Sequence, residues 1–274
     1  MTNEIHIRKI TTEQSIEKQD VVATEEPLEI HLEFVDQGKI VSKNISVTMR
    51  TPGNDDQLAT GFLFTEGIIK KPSDLEENPI RVWGENSVVV RLNSQAQVQL
   101  DKLHRNFYTT SSCGVCGKDS IFAVYQTRPK YISQSEIQIS KEIIFQLPQK
   151  LREVQKTFIS TGGIHAAALF DKAGQLLQMR EDVGRHNALD KLIGHYILHE
   201  KEKIPMQDKI LLLSGRASFE LIQKAAMAGI QCVCAVGAPS SLAVETASTF
   251  KITLIGFLKP ESFNIYTENQ RITK

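Results

Sequence analysis

Residues 209–257 read KILLLSGRASFELIQKAAMAGIQCVCAVGAPSSLAVETASTFKITLIGF and decide the fold class of the chain. The apolar runs at 209–213, 231–236 and 252–257 are short, which is typical of buried strands. Segments with helical periodicity begin near Ser218 and at Ser241, between these runs. Because strands and helices that alternate over short joints form layered sheets, this stretch predicts an α/β fold with helices on the faces of its sheet.

The same alternation of predicted strands and helices continues upstream of residue 209. We therefore expect one α/β domain over residues 121–274. Residues 140–154 are predicted to form a helix that Pro148 bends or splits, since proline lacks a backbone N–H and crowds the preceding turn. Three strands are predicted at 157–160, 166–170 and 176–179, followed by a helix at 185–198.

Residues 27–100 are predicted to form a β-rich N-terminal subdomain. Ile30, Leu32 and Phe34 alternate with polar neighbours, and a turn at 36–38 leads into a second alternating run, which together indicate a hairpin. A short helix is predicted from about Asp55, and a second hairpin over residues 80–92.

Two segments outside these domains lack a sustained hydrophobic period. Residues 1–26 are polar and are predicted to be a loosely held leader, with room for a short edge strand. Residues 101–120 contain two cysteines and are predicted to be a loop between the two halves of the chain. Loops held by rigid flanking elements commonly carry chemistry.

The composition of the 274-residue chain excludes several classes of protein. Lys and Arg number 32 in total, as do Asp and Glu, so no global positive field favours nucleic acid or an anionic membrane as a partner. The first residues lack the apolar core of a secretory signal, and no apolar run is long enough to span a bilayer. With four cysteines, too few for a disulfide scaffold, these features predict a cytoplasmic protein.

Cys113-Gly114-Val115-Cys116-Gly117-Lys118 carries the most chemical information in the chain. The glycines let the backbone bend around the sulfurs, and the lysine favours thiolate over thiol. Two thiols at this spacing can bind a metal, close a disulfide or act as a sulfur nucleophile with a partner. The other cysteines, Cys232 and Cys234, lie on a predicted buried strand, where cysteine most often packs as a small apolar residue. This placement weakens a four-ligand zinc site without excluding it.

Two turns follow strands of the predicted sheet, where ligands of α/β proteins gather. Ser214-Gly215-Arg216-Ala217-Ser218 combines a glycine, hydroxyl groups and a guanidinium that can bind a phosphate through two hydrogen bonds. Residues 237–241 repeat the arrangement without a cation. Serine-capped turns of no further function are the alternative. Neither GxGxxG nor a P-loop is present, so NAD and ATP are not specifically indicated.

A third patch of polar residues combines Gly162-Gly163-Ile164-His165 with residues 180–191. His186 and Asp190 are four positions apart on a predicted helix, so Asp190 is predicted to orient the imidazole. The alternative is a capped helix with a salt-bridged surface and a satisfied histidine. A serine hydrolase is not supported, because no GxSxG nucleophile turn accompanies the histidines.

Taken together and in order, these motifs closely resemble the FdhD/NarQ family of formate dehydrogenase accessory sulfurtransferases. The resemblance extends from about Pro27 to Tyr266. It covers the motifs at 49–53, 61–69, 112–117, 161–165, 181–191, 214–218 and 254–257.

The resemblance implies a fold and an activity. The family's fold is similar to that of the cytidine deaminases, a three-layer α/β/α domain, with an additional N-terminal β-rich subdomain, and its members form homodimers. A member receives sulfur from a cysteine desulfurase as a cysteine persulfide. It then transfers the sulfur to the molybdenum cofactor, bis-molybdopterin guanine dinucleotide, for formate dehydrogenase. Deamination is disfavoured, because His165 is followed by alanines and the HxE and PCxxC zinc signature is missing.

The resemblance also implies roles for individual residues. Cys113 would hold the persulfide, and Cys116 would assist transfer or protection, without a metal of the protein's own. The cofactor, or its guanine nucleotide, would be bound by His165, Arg185, His186, Ser214, Gly215, Arg216, Phe257, Leu258, Lys259, Pro260, Glu261 and Ser262. The family usually has arginine at Lys259 and a glycine and arginine near Glu261 and Ser262. Lysine keeps the charge but loses the bidentate geometry.

Two other functions are compatible with the same residues. The protein could be a cofactor-binding chaperone without catalytic activity, in which the CxxC is a zinc or redox clip. A dithiol oxidoreductase is the weaker alternative, because the cysteine pair does not begin a helix after a first strand, as a thioredoxin-like unit requires.

Overall fold

The structure is a computed structural model that describes residues 2–98, 107–108, 137–200 and 204–273. In chain order its strands are β1 (Thr2–Ile10), β2 (Ser15–Ala23), β3 (Glu26–Asp36), β4 (Lys39–Arg50), β5 (Leu75–Val82), β6 (Ser87–Leu92), β7 (Phe107–Tyr108), β8 (Ile139–Ser140), β9 (His165–Phe170), β10 (Leu176–Asp182), β11 (Ile210–Leu213), β12 (Cys232–Ala235), β13 (Thr253–Gly256), β14 (Asn264–Thr267) and β15 (Ile272–Thr273). Its helices are α1 (Asp55–Thr65), α2 (Lys141–Val154), α3 (Lys156–Thr161), α4 (Arg185–His199), α5 (Phe219–Met227) and α6 (Ser241–Thr249).

A six-stranded sheet in the order β10-β9-β11-β12-β13-β14 forms the centre of the C-terminal half. Its middle strands β11, β12 and β13 are parallel, while β9, β10 and β14 run antiparallel to their neighbours. The alternation of strand and helix in residues 209–257 builds this parallel centre. The predicted α/β fold class is therefore confirmed.

Both faces of the central sheet are covered by helices. Leu211 and Leu213 pack into a core with α4, α5 and α6, whereas Ile210 and Leu212 pack into a second core beneath α2. Successive side chains of a strand point to opposite faces, so a run without polar residues needs an apolar partner on each side. The three-layer arrangement follows from this requirement.

The N-terminal half contains a second sheet in the order β5-β6-β3-β4-β7. The predicted hairpin of β3 and β4 is confirmed, as are the helix from Asp55 and the hairpin of β5 and β6. Leu28, Ile30 and Leu32 are buried in the same hydrophobic core as α1 and α4. One core is thus continuous between the β-rich half and the α/β half.

Helices α1 and α4 approach each other through two facing glycines. A methyl group at Gly61 would overlap the carbonyl of Asp190 and lie 2.9 Å from the backbone nitrogen of Gly194. A methyl group at Gly194 would overlap the carbonyl of Gln57. The two backbones are therefore in direct contact, which only glycine allows at these positions.

Three local predictions are wrong in whole or in part. Residues 157–160 form part of helix α3 instead of a strand, because the Glu181 carboxylate accepts hydrogen bonds from the N–H groups of Thr157 and Phe158, at 3.1 and 3.0 Å. The predicted helix at 140–154 is confirmed, but Pro148 does not split it: helix α2 continues through the proline to Val154, held by a buried stripe of apolar side chains.

The third concerns the predicted leader at residues 1–26. β1 and β2 form a regular antiparallel hairpin, and β2 packs against α3. Most of its side chains are exposed on both faces, so no apolar period marks the strands in the sequence.

Within the described residues, the helices are all too short or too polar to cross a lipid bilayer.

The glycine contact can be tested by Gly61→Ala and Gly194→Ala. Because each added methyl group meets backbone that cannot move without separating the helices, we expect each variant to lower the free energy of unfolding by about 1–3 kcal/mol or more. Urea denaturation followed by circular dichroism measures the loss. Gly163→Ala is the matched control, since a methyl group there has no contact closer than 3.9 Å. Equal stability of all three variants would contradict the close approach.

Candidate functional site

His165 and the turn after β11 meet at one edge of the central sheet. The backbone N–H of Ala166 donates to Ser214 Oγ at 2.8 Å, and the Ser214 N–H donates to the carbonyl of Ala166 at 3.0 Å. A methyl group at Gly215 would lie 3.3 Å from His165 Nδ1, so the glycine lets the ring lie against the backbone. The carboxyl ends of β11 and β12 open at this edge, where ligands of α/β sheets bind.

Three basic residues predicted to bind the cofactor surround His165. Burial lowers the pKa of His165, and the positive charges of Arg185, His186 and Arg216 lower it further. The imidazole is therefore neutral near pH 7 and is available as a hydrogen-bond partner in a positive environment. Among the described residues, the buried Nε of Arg185 has no hydrogen-bond partner.

The two turns predicted to bind anions, residues 214–218 and 237–241, lie against each other. The Gly237 N–H donates to the carbonyl of Gly215 at 3.0 Å, and a methyl group at Gly237 would lie 3.0 Å from the backbone nitrogen and from Cγ of Arg216. The glycine thus leaves room for the Arg216 side chain, which is exposed at the edge. The two turns form one continuous surface.

His186 is oriented by Glu220 and not by Asp190, so the predicted pairing within α4 is wrong. His186 Nε2 lies 3.1 Å from Glu220 Oε2 and 3.3 Å from Ser218 Oγ. Burial works in the opposite direction, but the hydrogen bond from His186 and its charge hold the pKa of Glu220 below its ordinary value. The start of α5 therefore positions the histidine, a tertiary contact that sequence spacing does not reveal.

Asp190 instead belongs to a buried ionic cluster between the two halves. It accepts hydrogen bonds from Thr65 Oγ1 at 2.8 Å and from Lys224 Nζ at 2.9 Å, and Lys224 also lies 3.5 Å from Glu66. Burial lowers the pKa of Lys224, but the charges of Asp190 and Glu66 outweigh this effect and leave the pKa raised.

Asp182 and Lys191 form a second buried ion pair, which also lies between the two halves of the protein. Lys191 Nζ lies 2.7 Å from Asp182 Oδ2 and donates to the carbonyl of Thr51 at 2.7 Å, while the Thr51 N–H donates to Asp182 at 3.1 Å. Asn187 Nδ2 donates to the carbonyl of Met49 at 2.8 Å. The motif at 181–191 is thus divided. Arg185 and His186 lie at the edge, whereas Asp182, Asn187, Asp190 and Lys191 join the two halves of the protein.

A cavity of about 520 Å³ opens beside His165. It is lined by Pro148, Leu151, Arg152, Gln155, Phe158, Gly162, Gly163, Ile164, His165, Ser214 and Val236. This volume lies in the range of small-molecule and cofactor sites, and the lining is mainly apolar with a few polar groups. Sequence reasoning missed Arg152, Gln155 and Phe158, because it assigned residues 157–160 to a strand and saw no motif in α2.

The predicted cofactor-contacting segment 257–262 follows the same edge. The Phe257 N–H donates to the carbonyl of Gly237 at 3.1 Å. Phe257 has a φ of 53°, which is unusual for a bulky residue, and its side chain is 44% exposed. Leu258 differs, because its side chain is buried in the core beneath α2. The exposed residues of the segment are Phe257, Lys259, Pro260, Glu261 and Ser262.

The predicted catalytic residues Cys113 and Cys116 lie outside the described residues, and so does most of the predicted loop at 101–120. In the described part of the chain, no group of three His, Cys, Asp or Glu side chains is arranged to hold a metal ion. Cys232 and Cys234 are buried beneath α2, and their mutual hydrogen bond, together with burial, raises the pKa of Cys234 well above its ordinary value. These two thiols pack in the core, as predicted.

The environment of His165 can be tested by NMR titration. We expect an imidazole pKa below the ordinary value, and acidification should destabilise the fold, because the unfolded chain binds the proton more tightly. Arg185→Gln should raise this pKa part of the way, since burial is the larger cause. The control is Arg180→Gln, which removes a cation next to His195. An unchanged His165 pKa in Arg185→Gln would argue against the charge cluster.

Three comparisons with known proteins bear on this arrangement. The sequence model of the FdhD/NarQ family matches residues 23–273. A sulfur carrier protein FdhD from Sulfurisphaera tokodaii is 42% identical over 268 residues, which cover 98% of each chain. The protein of the same name from Picrophilus torridus is 47% identical over 253 residues, with 92% of each chain covered.

A crystal structure from Desulfotalea psychrophila, described as a candidate formate dehydrogenase accessory protein, shares the fold. The TM-score is 0.76 at 22% sequence identity, and 99% of each chain is covered. At this identity the similarity concerns the fold alone. The family match and the curated relatives, by contrast, span nearly the whole sequence. The chain belongs to the FdhD/NarQ family.

Proposed function

We propose that the protein is a sulfur carrier that matures formate dehydrogenase by transferring sulfur to a nucleotide-bearing molybdenum cofactor. The observation that carries the proposal is the cluster of basic residues Arg185, His186 and Arg216 around His165, beside a cavity of about 520 Å³. The names of the curated relatives support the sulfur-carrier role. A CxxC segment in the same chain supplies the thiols that such a role requires.

In the loading step, the thiolate of Cys113 attacks the outer sulfur of a persulfide on a cysteine desulfurase. A new S–S bond forms on Cys113 while the S–S bond of the desulfurase breaks, and the desulfurase cysteine leaves as a thiolate. No external oxidant or reductant is required. Lys118 lies five positions after Cys113, and a nearby cation favours the thiolate that this step needs.

In the release step, Cys116 supplies two electrons. Its thiolate attacks the inner sulfur of the Cys113 persulfide, a Cys113–Cys116 disulfide forms, and the outer sulfur leaves as hydrosulfide for the acceptor. Cellular thiols then reduce the disulfide. This order of reaction steps gives each cysteine of the pair a separate role.

The acceptor substrate, bis-molybdopterin guanine dinucleotide, carries phosphates that need cations and N–H donors. Arg185, Arg216 and the Ser214 hydroxyl lie at the edge of the sheet, where backbone N–H groups and helix N-termini favour anions. Lys259 adds a single positive charge on the exposed segment after β13. We further propose a homodimer that acts in the cytoplasm, with a cysteine desulfurase and formate dehydrogenase as its protein partners.

The role of Cys113 is tested with the Cys113→Ala variant. After incubation with a cysteine desulfurase and cysteine, mass spectrometry should detect one added sulfur on the wild-type protein and none on the variant. Cys116→Ala should load sulfur but release little of it. The matched control is Cys234→Ala, since this buried thiol has a raised pKa and forms little thiolate. Sulfur loading of Cys113→Ala would refute the role, and one zinc ion per chain bound by Cys113 and Cys116 would favour the chaperone alternative.

Anion binding by the turn after β11 is tested with GDP, which carries the phosphates and base of the acceptor. Arg216→Gln removes one charge-assisted hydrogen-bond donor, and calorimetry should therefore show affinity for GDP lower by about tenfold or more. Arg91→Gln is the control, since that arginine pairs with Glu33 and Glu76 on the N-terminal sheet. Equal losses in the two variants would speak against a localised site.

A further inference from the structure

The N-terminal hairpin of β1 and β2 lies outside the hydrophobic cores of the protein. Its two strands form a separate sheet that is not joined to either of the large sheets. Within the described part of the chain, none of its apolar side chains belongs to either core, and its main contact is the packing of β2 against α3. Because an isolated two-stranded hairpin is at best marginally stable in water, a second surface that covers this one would stabilise it.

The strand register places four apolar side chains on one side of this hairpin. Directly paired residues of antiparallel strands point to the same side of a sheet, and so does every second pair. One side, the apolar face, therefore consists of the pairs Asn3–Val22, Ile5–Asp20, Ile7–Lys18 and Lys9–Ile16. Ile5 and Ile16 are each 41% exposed and Val22 is 36% exposed. Adjacent exposed apolar side chains with charged neighbours are typical of an interaction surface.

The order of charges along the apolar face makes it complementary to a second copy of itself. The four pairs form four successive rows along the hairpin, and two copies can stack face to face with their long axes reversed around a two-fold axis. The first row of one copy then meets the fourth row of the other, and the second row meets the third. In this isologous contact β1 lies over β1 of the second copy, and β2 lies over β2.

The reversed stacking brings matching side chains together. Asp20 lies opposite Lys18 of the second copy, and the two-fold axis produces this charge pair twice. Ile5 lies opposite Ile7, and Val22 lies opposite Ile16. Stacking with parallel long axes would instead set β1 over β2, so that Ile5 and Ile7 would meet charged side chains. Burying a charge against an apolar group is costly, so the register favours the reversed arrangement.

We propose that the apolar face of the β1–β2 hairpin binds the same face of a second copy of this chain, with the two hairpins antiparallel around a two-fold axis. The inference rests on the homodimer of the proposed function and names its surface. The four strands form a small two-layer sandwich that buries the β-branched side chains between the layers. The interface lies close to the cavity, because β2 packs against α3, and Phe158 of α3 lines the cavity.

The apolar contact is tested with Ile16→Asp, which places a charge opposite Val22 at both ends of the interface. Sedimentation equilibrium of the full chain should show a dimer for the wild type and a dimer Kd raised by about tenfold or more for the variant. Ile10→Asp is the matched control, since Ile10 lies on the opposite side of the same hairpin and is 75% exposed. It should leave the Kd unchanged, and circular dichroism checks that both variants are folded.

The charge pairs provide a second test, which a merely destabilised hairpin cannot imitate. Lys18→Asp and Asp20→Lys each set like charges opposite each other, so each variant alone should dimerise more weakly by about tenfold or more. An equimolar mixture of the two variants restores opposite charges at both contacts and should form a heterodimer. Loss of the ion pair within one hairpin, where Lys18 Nζ lies 3.6 Å from Asp20 Oδ1, cannot be rescued by mixing. Arg8→Glu is the control, because Arg8 pairs with Glu17 on the opposite side.

Three outcomes would overturn the inference. A monomeric wild type would leave the apolar face to another protein, such as the desulfurase. A wild-type dimer that Ile16→Asp does not weaken would place the interface elsewhere on the chain. A mixture of Lys18→Asp and Asp20→Lys that stays monomeric would reject the reversed stacking.

The outcome is separable from that of the sulfur-carrier proposal. Cys113→Ala should keep the wild-type dimer Kd, because the apolar face does not include Cys113. Failure of sulfur loading with a normal dimer rejects the carrier role alone. Normal sulfur loading with a dimer that Ile16→Asp leaves intact rejects this interface alone.

Discussion

The contact between α1 and α4 is the constraint on which the rest of the structure depends. Gly61 and Gly194 bring the two backbones together, and this approach places Thr65 within 2.8 Å of Asp190. Burial of the Asp190 carboxylate is costly unless it is neutralised, and Lys224 from α5 supplies the charge. Three elements distant in sequence are thereby locked into one arrangement.

This arrangement determines where the basic groups of the edge lie. Helix α4 begins at Arg185 and His186, and its inner face is held by the ion pairs of Asp182 with Lys191 and of Asp190 with Lys224. The N-terminal half is thus more than an appendage of the sheet, because it fixes the helix that carries two of the basic groups beside His165. If the contact between the halves were weakened, Arg185 and His186 would both be displaced, because they lie on the same helix.

The edge of the central sheet combines two environments. The cavity is largely apolar and contains one buried amide, whereas the adjoining surface is positive and rich in turns. His165 lies between them with a lowered pKa, so it does not add a further full positive charge near neutral pH. An apolar cavity therefore adjoins a positively charged surface at one edge of the sheet.

The amino-acid sequence predicted the fold class, the order of the strands and helices after residue 209, the Ser214–Arg216 turn and the importance of the motif at 181–191, because these features depend on local hydrophobic period and residue type. It did not reveal which members of that motif face the edge: His186 pairs with Glu220 and Asp190 with Lys224, both across helices. It also missed helix α3, whose start is capped by Glu181 from a distant strand, and the cavity with Gln155. Such features arise from the packing of segments far apart in the chain, so local sequence patterns cannot reveal them.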